Sequence, residues 1–453
     1  MADLHLNLDR RKGGLAAQLA AELRASVRDG RLAPGARLPA TRDLAADLAL
    51  SRGVVVEAYE QLVAEGFLIS RVGHGTRVAD VPAGRRSTRE RPGSRGRPND
   101  YQERATSPDL GGFPRERWLA AVRHVLGTLP ADALDYADPG GVPELREELA
   151  GYLRRVRAAD VRPDDLVVIG GVAHGLSLLL QVLGRIRLAV EDPSSHRQFP
   201  LLLRGGADLV PVPTDDEGVD VAALAASGAD AVLLTPAHNY PTGVVLSPAR
   251  RAALIAWGKL VVEDDYDAEF RFDRDPVGCL QGLAPDRVVL TGSVSKSLAP
   301  GLRLGWMAAP APLAAAVRRV RGESDLGSPV IDQYALAHFL RTGGYERHLR
   351  RTRREYRRRR DALVGALAEH LPEIRVRGIE AGLHAYLDLP ADWDEAAAVA
   401  AARELGLAAE AVEPMRFAPG PPAVVVGFAR LPAHRADDVA RGLKVRMSGQ
   451  TRD

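Results

Sequence analysis

The chain of 453 residues holds a single cysteine, Cys279, so no internal disulfide can brace it. It shows no signal peptide and no apolar stretch long enough to span a bilayer, which leaves a cytoplasmic globular protein with no membrane contact as the expectation. Charge of either sign in excess is also missing. The 61 Lys/Arg residues face 59 Asp/Glu, and a formal net charge of +2 permits a polyanionic partner without demanding one. Large apolar residues nearly vanish from one internal stretch, 79–105, which is rich in Arg, Gly, Pro, Ser and Thr. Such a composition cannot bury a core and predicts a flexible linker. A solubilising role is enough to explain its arginines, with contact to phosphates as the alternative. Elsewhere the 46% hydrophobic content is ample for a core. The length suits a small N-terminal module, residues 1–78, and one large α/β domain, residues 106–446, whose C-terminal part from about 325 to 446 forms a smaller subdomain.

The large segment carries four apolar runs, each ending in a glycine-rich or polar turn. Leu166–Ile169 runs into Gly170-Gly171-Val172-Ala173 and then a helical stretch, a turn whose glycines let backbone amides approach a phosphate. Val232–Leu234 runs into Thr235-Pro236-Ala237-His238-Asn239-Tyr240-Pro241-Thr242-Gly243. Leu260–Val262 delivers Glu263, Asp264, Asp265 and Tyr266, as a buried parallel strand delivers side chains at its C-terminal end. Val288–Leu290 precedes Gly292-Ser293-Val294-Ser295-Lys296-Ser297, with Arg303 seven residues beyond the lysine. A lysine that forms a Schiff base needs small neighbours and an easily lost proton. Alone, this run also reads as a loop lysine in a Ser/Gly-rich turn. Pyridoxal phosphate requires a carboxylate on its ring nitrogen and a donor for its phenolate oxygen, which Asp264 and Tyr266 supply. Arg303 has the fork of donors that suits a phosphate. The spacing of 32 positions from Asp264 to Lys296 leaves room for one helix and one strand.

The first eighty residues have a different grammar. Leu15, Leu19, Leu23 and Val27 share one helix face, with Gly30 as its stop. A second helix is predicted over Thr41–Leu50 with Thr41 as N-cap. A third begins after Ser51 and runs to Gly66. Phe67–Val78 has two β-prone arms around a glycine-bearing tip. Three helices and a hairpin make a winged helix-turn-helix. In that arrangement Ser51, Arg52 and Gly53 enter the major groove, and Arg37, Arg42, Arg71, Gly73, His74 and Thr76 contact phosphates or the minor groove. The bland reading is a helical protein-interaction module, and the local charge, 11 Lys/Arg against 9 Asp/Glu over residues 1–78, does not separate the two.

The motifs do. Pro34–Ala45, Ser51-Arg52 and Ala58–Leu62 are similar to the GntR-type winged helix. Residues from about 106 to 446 resemble fold-type I pyridoxal phosphate enzymes of the aminotransferase class, with the motifs in the same order. Together the two resemble the MocR-type regulators, in which such a reader is fused to an aminotransferase-like domain. The resemblance implies an α/β fold, a mostly parallel sheet with helices on both faces, plus the N-terminal reader. It implies Lys296 as the internal aldimine, Asp264 on the pyridinium nitrogen and Tyr266 on the phenolic oxygen. Ser293, Ser295, Arg303 and the backbone of Val172 and Ala173 would hold the phosphate. Tyr136 matches a tyrosine that reaches the neighbouring subunit's site.

Three departures stand out. The Glu191-Asp192-Pro193-Ser194-Ser195-His196 segment lacks the usual aromatic over the cofactor ring and offers only His196. Asn239 lies one residue early relative to the Asn-Pro-Thr-Gly signature. The arginine that grips a substrate carboxylate, two residues before a Gly-Phe, is Val425 here, with Arg430 the nearest substitute. Efficient transamination of a standard amino acid is therefore not expected. The expectation is a homodimeric regulator, its linker long enough for a head-to-tail exchange of readers, that binds paired DNA half-sites and responds to pyridoxal phosphate, an amino acid or an amine. The alternative is an active aminotransferase with a DNA-binding appendage. The arginine-rich run 349–360 reads as the solvated face of a long helix, and His384 as a structural residue.

Overall fold

The computed structural model describes residues 8–11, 13–71, 75–80, 104–272, 277–378 and 380–448. The chain divides into two compact units, Met1–Pro98 and Asn99–Asp453.

In the first unit, helices α1 (Leu15–Arg28), α2 (Thr41–Asp47) and α3 (Arg52–Ala64) precede an antiparallel hairpin of β1 (Leu68–Arg71) and β2 (Gly75–Val78). The four-residue spacing of α1 turns Leu19, Leu23 and Val27 into one apolar cluster with Leu44, Val55, Leu62, Leu68 and Val78. Gly30, at φ +73, follows the helix end as the left-handed stop. Two expectations shift. The N-cap of α2 is Ala40, with Thr41 the first helical residue, and the helix ends at Asp47 rather than Leu50. Ser51 does occupy the N-cap of α3, but its side chain makes no capping bond. The hairpin gains a third partner, because Leu38 N–H donates to the Thr76 carbonyl (2.9 Å) and Val78 N–H to that of Ala36 (2.9 Å). The wing is thereby fastened to the turn before α2.

The second unit is built on an eight-stranded sheet. Its strands are β3 (Leu166–Ile169), β4 (Ile186–Asp192), β5 (Ala207–Asp215), β6 (Gly218–Val219), β7 (Ala231–Leu234), β8 (Leu260–Asp264), β9 (Val288–Ser293) and β10 (Gly305–Ala308), in the order β3-β10-β9-β8-β7-β4-β5-β6. The central pairs are parallel; β10 alone runs against both its neighbours, Gly305 lying opposite Ile169 and Ser293. Strands β3, β7, β9 and β10 are buried along their whole length, as a sheet covered on both faces requires. Because β3 pairs with β10 in the opposite sense, the C-terminal ends of β3, β4, β7, β8 and β9 share one edge.

Strands β11 (Arg375–Arg377), β12 (His384–Asp388), β13 (Ala408–Ala411) and β14 (Ala423–Gly427) form a separate antiparallel sheet in the order β11-β12-β14-β13. The helix Gly344–His370 buries Tyr345, Leu349, Tyr356, Leu363 and Leu367 and leaves Arg350, Arg354, Arg357 and Arg358 exposed, the expected solvated face. The two ends of the expected linker are fixed to the units beside them: Ala79 N–H donates to Phe67 O (2.9 Å), and Ala105 is fully buried. Among the described residues no helix is long and apolar enough to cross a membrane.

Candidate functional site

At the shared strand edge lies a cavity of about 730 Å³. Val172, Ala173, His196, Asp264, Tyr266, Ser293, Ser295, Lys296 and Arg303 all line it. Residues separated by more than a hundred positions meet here because each stands at a strand end or in the turn that follows. Gly171, at φ +100, turns β3 into the helix Val172–Leu183, and a Cβ there would come within 3.1 Å of the Arg303 guanidinium. The arginine fork therefore sits against bare backbone at a helix N-terminus, a place that suits an anion. Arg303 itself takes the left-handed conformation, at φ 50.

Burial governs the electrostatics. The Lys296 amine is pushed down to about 8 by burial, against the pull of Asp267 and Asp264 and with the push of Arg104. Its Nζ donates to Thr106 Oγ1 at 3.2 Å. Burial raises the Asp264 carboxyl to about 7; Gln198 Nε2 donates to its Oδ2 (3.2 Å), while its buried Oδ1 has no partner. Glu191, also raised to about 7 by burial, accepts from the Thr235 amide (2.9 Å) and hydroxyl (3.0 Å). The Tyr266 hydroxyl lies 3.1 Å from His238 Nδ1, which in turn stands 2.9 Å from Asp267 Oδ2.

Other expected residues fall elsewhere. Asn239 is buried with its Oδ1 taken by the Thr242 amide (3.2 Å) and hydroxyl (2.6 Å), and its neighbour Tyr240 lines the cavity instead. Arg430 is exposed and does not line the cavity, so the suggested carboxylate contact is not formed by this geometry. Val425 is fully buried beside Tyr386 and Met415 in an apolar cluster. Tyr136 is 83% exposed, standing away from its own chain's cavity. His384 is buried, its Nε2 3.2 Å from the Pro241 carbonyl.

Sequence reasoning missed Thr106, Arg197, Gln198 and Glu410, all of which line the cavity. Arg197 pairs with the buried Glu410 at 3.0 Å, and Glu410 also accepts the Ala105 amide at 2.9 Å. Gln198 and Arg197 directly follow His196, so that stretch held a signal. Nothing local points to Glu410 on β13.

On the first unit, Arg37, Arg42, Ser51, Arg52, Gly53 and Arg71 are at least partly exposed, and Thr76 is half-buried. Ser51, Arg52 and Gly53 stand together at the start of α3. Arg37 lies against the wing, its guanidinium 3.3 Å from where a Cβ on Gly75 would sit. Gly73 and His74 lie outside the described residues.

Residues 15–78 match the gntR family of bacterial regulatory proteins, and residues 111–441 match aminotransferase class I and II. Over 79% of its length the chain is 32% identical to the probable rhizopine catabolism regulatory protein MocR of Rhizobium meliloti, covering 78% of that protein. The chain is a MocR-type transcriptional regulator. This regulator is also 36% identical, over 86% of its length and 88% of the relative's, to the HTH-type pyridoxine biosynthesis transcriptional regulator PdxR of Corynebacterium glutamicum. Among solved structures it is similar to an archaeal alanine:glyoxylate aminotransferase, with 27% identity and a TM-score of 0.69 over 76% of this chain and 90% of that one. It is similar too to LysN, the α-aminoadipate aminotransferase of Thermus thermophilus, solved with N-(5'-phosphopyridoxyl)-L-leucine, with 25% identity and a TM-score of 0.69 over 77% of this chain and 92% of that one.

Proposed function

We propose that this regulator holds pyridoxal 5'-phosphate on Lys296 and that occupancy of the site, by the cofactor or by an amino compound reacting with it, alters DNA binding by paired readers of a homodimer. The observation that carries the reading is the Asp264 carboxyl. It is nearly sealed from solvent yet leaves one oxygen with no protein partner, on the wall of a cavity that also holds the lysine. A buried acceptor without a donor is costly, and a protonated ring nitrogen would satisfy it. Tyr266 would donate to the phenolic oxygen. Ser293, Ser295, Arg303 and the first amides of the helix Val172–Leu183 would hold the phosphate. Lys296 supplies the amine, and the cofactor, when bound, supplies an aldehyde that a primary amine can capture and exchange.

Tyr136, exposed in its own subunit, fits a role at the partner's site, and a head-to-tail exchange of readers is compatible with the length of the 79–105 connection. The effector is pyridoxal phosphate itself or an amine or amino acid that reacts with it; the likeness to PdxR favours the first. A ligand regulates only through a difference in affinity between two states. The test is therefore paired: purified protein incubated with pyridoxal phosphate should acquire the absorbance of a Schiff base, and its affinity for its own promoter should change with loading. Protein that stays colourless, or loaded protein that binds DNA as empty protein does, would refute the reading.

For the reader, Arg52→Ala should weaken promoter binding by roughly 1–3 kcal/mol, the cost of one lost base or phosphate contact. Affinity measured by titration at fixed salt checks this, with unchanged affinity locating the recognition surface elsewhere.

A further inference from the structure

The Lys296 amine is bonded to a residue that belongs to neither family match. Thr106 lies between residue 78, where the reader's match ends, and residue 111, where the aminotransferase match begins. It is on the stretch by which the chain arrives from the reader, yet its hydroxyl stands 3.2 Å from Lys296 Nζ. That stretch is firmly set. Ala105 is fully buried, and its amide donates to the buried Glu410 at 2.9 Å. Its backbone presses so closely on β14 that a Cβ on Gly427 would fall 2.3 Å from the Ala105 carbonyl oxygen, so only glycine fits there.

We propose that Thr106 reads the covalent state of Lys296 and passes it to the segment that leads to the reader. This inference rests on the reading that Lys296 captures pyridoxal phosphate. As a free amine, Lys296 carries hydrogens enough to donate to the Thr106 oxygen. When it condenses with an aldehyde, the C=N bond forms, the aldehyde oxygen leaves as water, and both amine hydrogens leave with it. The resulting nitrogen carries at most one proton, held in the imine plane. Thr106 then loses its donor. If a primary amine exchanges into the imine, its nitrogen takes over the C=N bond and gives up two hydrogens, and Lys296 returns as a free amine able to bond Thr106 again. The contact is thus present in the empty site, absent with the cofactor alone and restored with an amine. Ala105 is held through Glu410 and Gly427, and the Arg104 carbonyl accepts the Ser107 amide at 3.0 Å, so residues 104–107 form one turn that carries Thr106, and a change at its hydroxyl acts on the whole turn through which the chain enters from the reader.

The experiment uses the full-length protein and compares wild type with Thr106→Val and Thr106→Ala, which delete the hydroxyl, and Thr106→Ser, which keeps it. Each is loaded with pyridoxal phosphate, loading is verified by absorbance, and promoter affinity is measured empty, loaded, and loaded then treated with methylamine. Wild type should change affinity by about fivefold or more on loading, within the usual span of allosteric coupling. Methylamine should return it toward the empty value. The hydroxyl-deleted variants should still become coloured, with the loaded-to-empty ratio collapsed to within about twofold, and Thr106→Ser should restore it. Coloured Thr106→Val and Thr106→Ala proteins that keep the full wild-type ratio would overturn the proposal while leaving the cofactor reading intact. A colourless wild type would instead sink the cofactor reading and this inference with it.

Discussion

Replacing Lys296 by alanine is expected to leave the protein without Schiff-base absorbance after incubation with pyridoxal phosphate, however long the exposure. The phosphate cradle at Gly171 and Arg303 is intact in that variant, so cofactor should still enter and then wash out on gel filtration. The same lysine predicts a pH profile. An ordinary lysine titrating at about 10.4 has only about one free amine in 2,500 at pH 7, whereas one held near 8 has about one in ten. Burial depresses Lys296 because it penalises the charged form; Asp267, Asp264 and Glu410 oppose that shift, and Arg104 adds to it. The nucleophile is the deprotonated amine. The rate of colour development should therefore rise about tenfold per pH unit up to about pH 8 and level off above it. Stopped-flow absorbance at constant cofactor concentration measures it. A rate independent of pH through that window would mean that the amine is already free, and that the burial argument misjudges the site. Asp264, raised to about 7 in the empty cavity, adds a second effect, since below about pH 7 its carboxyl is neutral and a poorer partner for a protonated ring nitrogen.

Which parts of this site could be read from sequence follows from chain geometry. Asp264 and Tyr266, Ser293 to Lys296, and Gly170 to Ala173 are each contiguous, because a strand end delivers neighbours in sequence to one edge of the sheet. The apolar runs and their polar ends therefore announced both the sheet and its working edge. Thr106, Arg197 and Glu410 come together only through tertiary folding: β13 and the 104–106 segment meet across 305 residues. No periodicity encodes such a meeting. Asn239 is set by a local turn. A threonine three positions on offers both an amide and a hydroxyl, and the carboxamide oxygen accepts from both. The start of α2 misled through residue type. Thr41 is a good capping residue by type, but Ala40 holds the extended conformation of the N-cap, at ψ 148, and the threonine enters the helix. In the reader the spacing of apolar residues was enough to give three helices and a hairpin, while the fastening of residues 36–38 to the wing is a non-local pairing that spacing cannot show.

The reader also offers the largest expected effect on folding. Leu62 is fully buried where α3 meets α1, in the cluster that forms the core of the first unit's described residues, with Leu19, Leu23 and Leu68 among its members. A module of the 64 residues 15–78 has little reserve. A single core of that size supplies roughly 3–5 kcal/mol. Truncating a buried leucine to alanine costs about 2–5 kcal/mol, from lost transfer free energy and from the cavity left behind. The cost matches the reserve, so Leu62→Ala should leave half or more of the readers unfolded and reduce promoter binding by about twofold to thirtyfold, the upper figure applying where the cost exceeds the reserve by about 2 kcal/mol, since each 1.4 kcal/mol is a factor of ten. Val63, its neighbour on the same helix, is 39% exposed, and Val63→Ala should stay within about 0.5 kcal/mol of wild type. Differential scanning calorimetry of the two variants separates these outcomes: Leu62→Ala should remove a transition that Val63→Ala retains. The second unit has its own cores and its own cavity, so Leu62→Ala should still colour with pyridoxal phosphate. If that variant lost both DNA binding and colour, the two units would be folding as one cooperative body, and the reader could not be altered by the site without the site being altered by the reader.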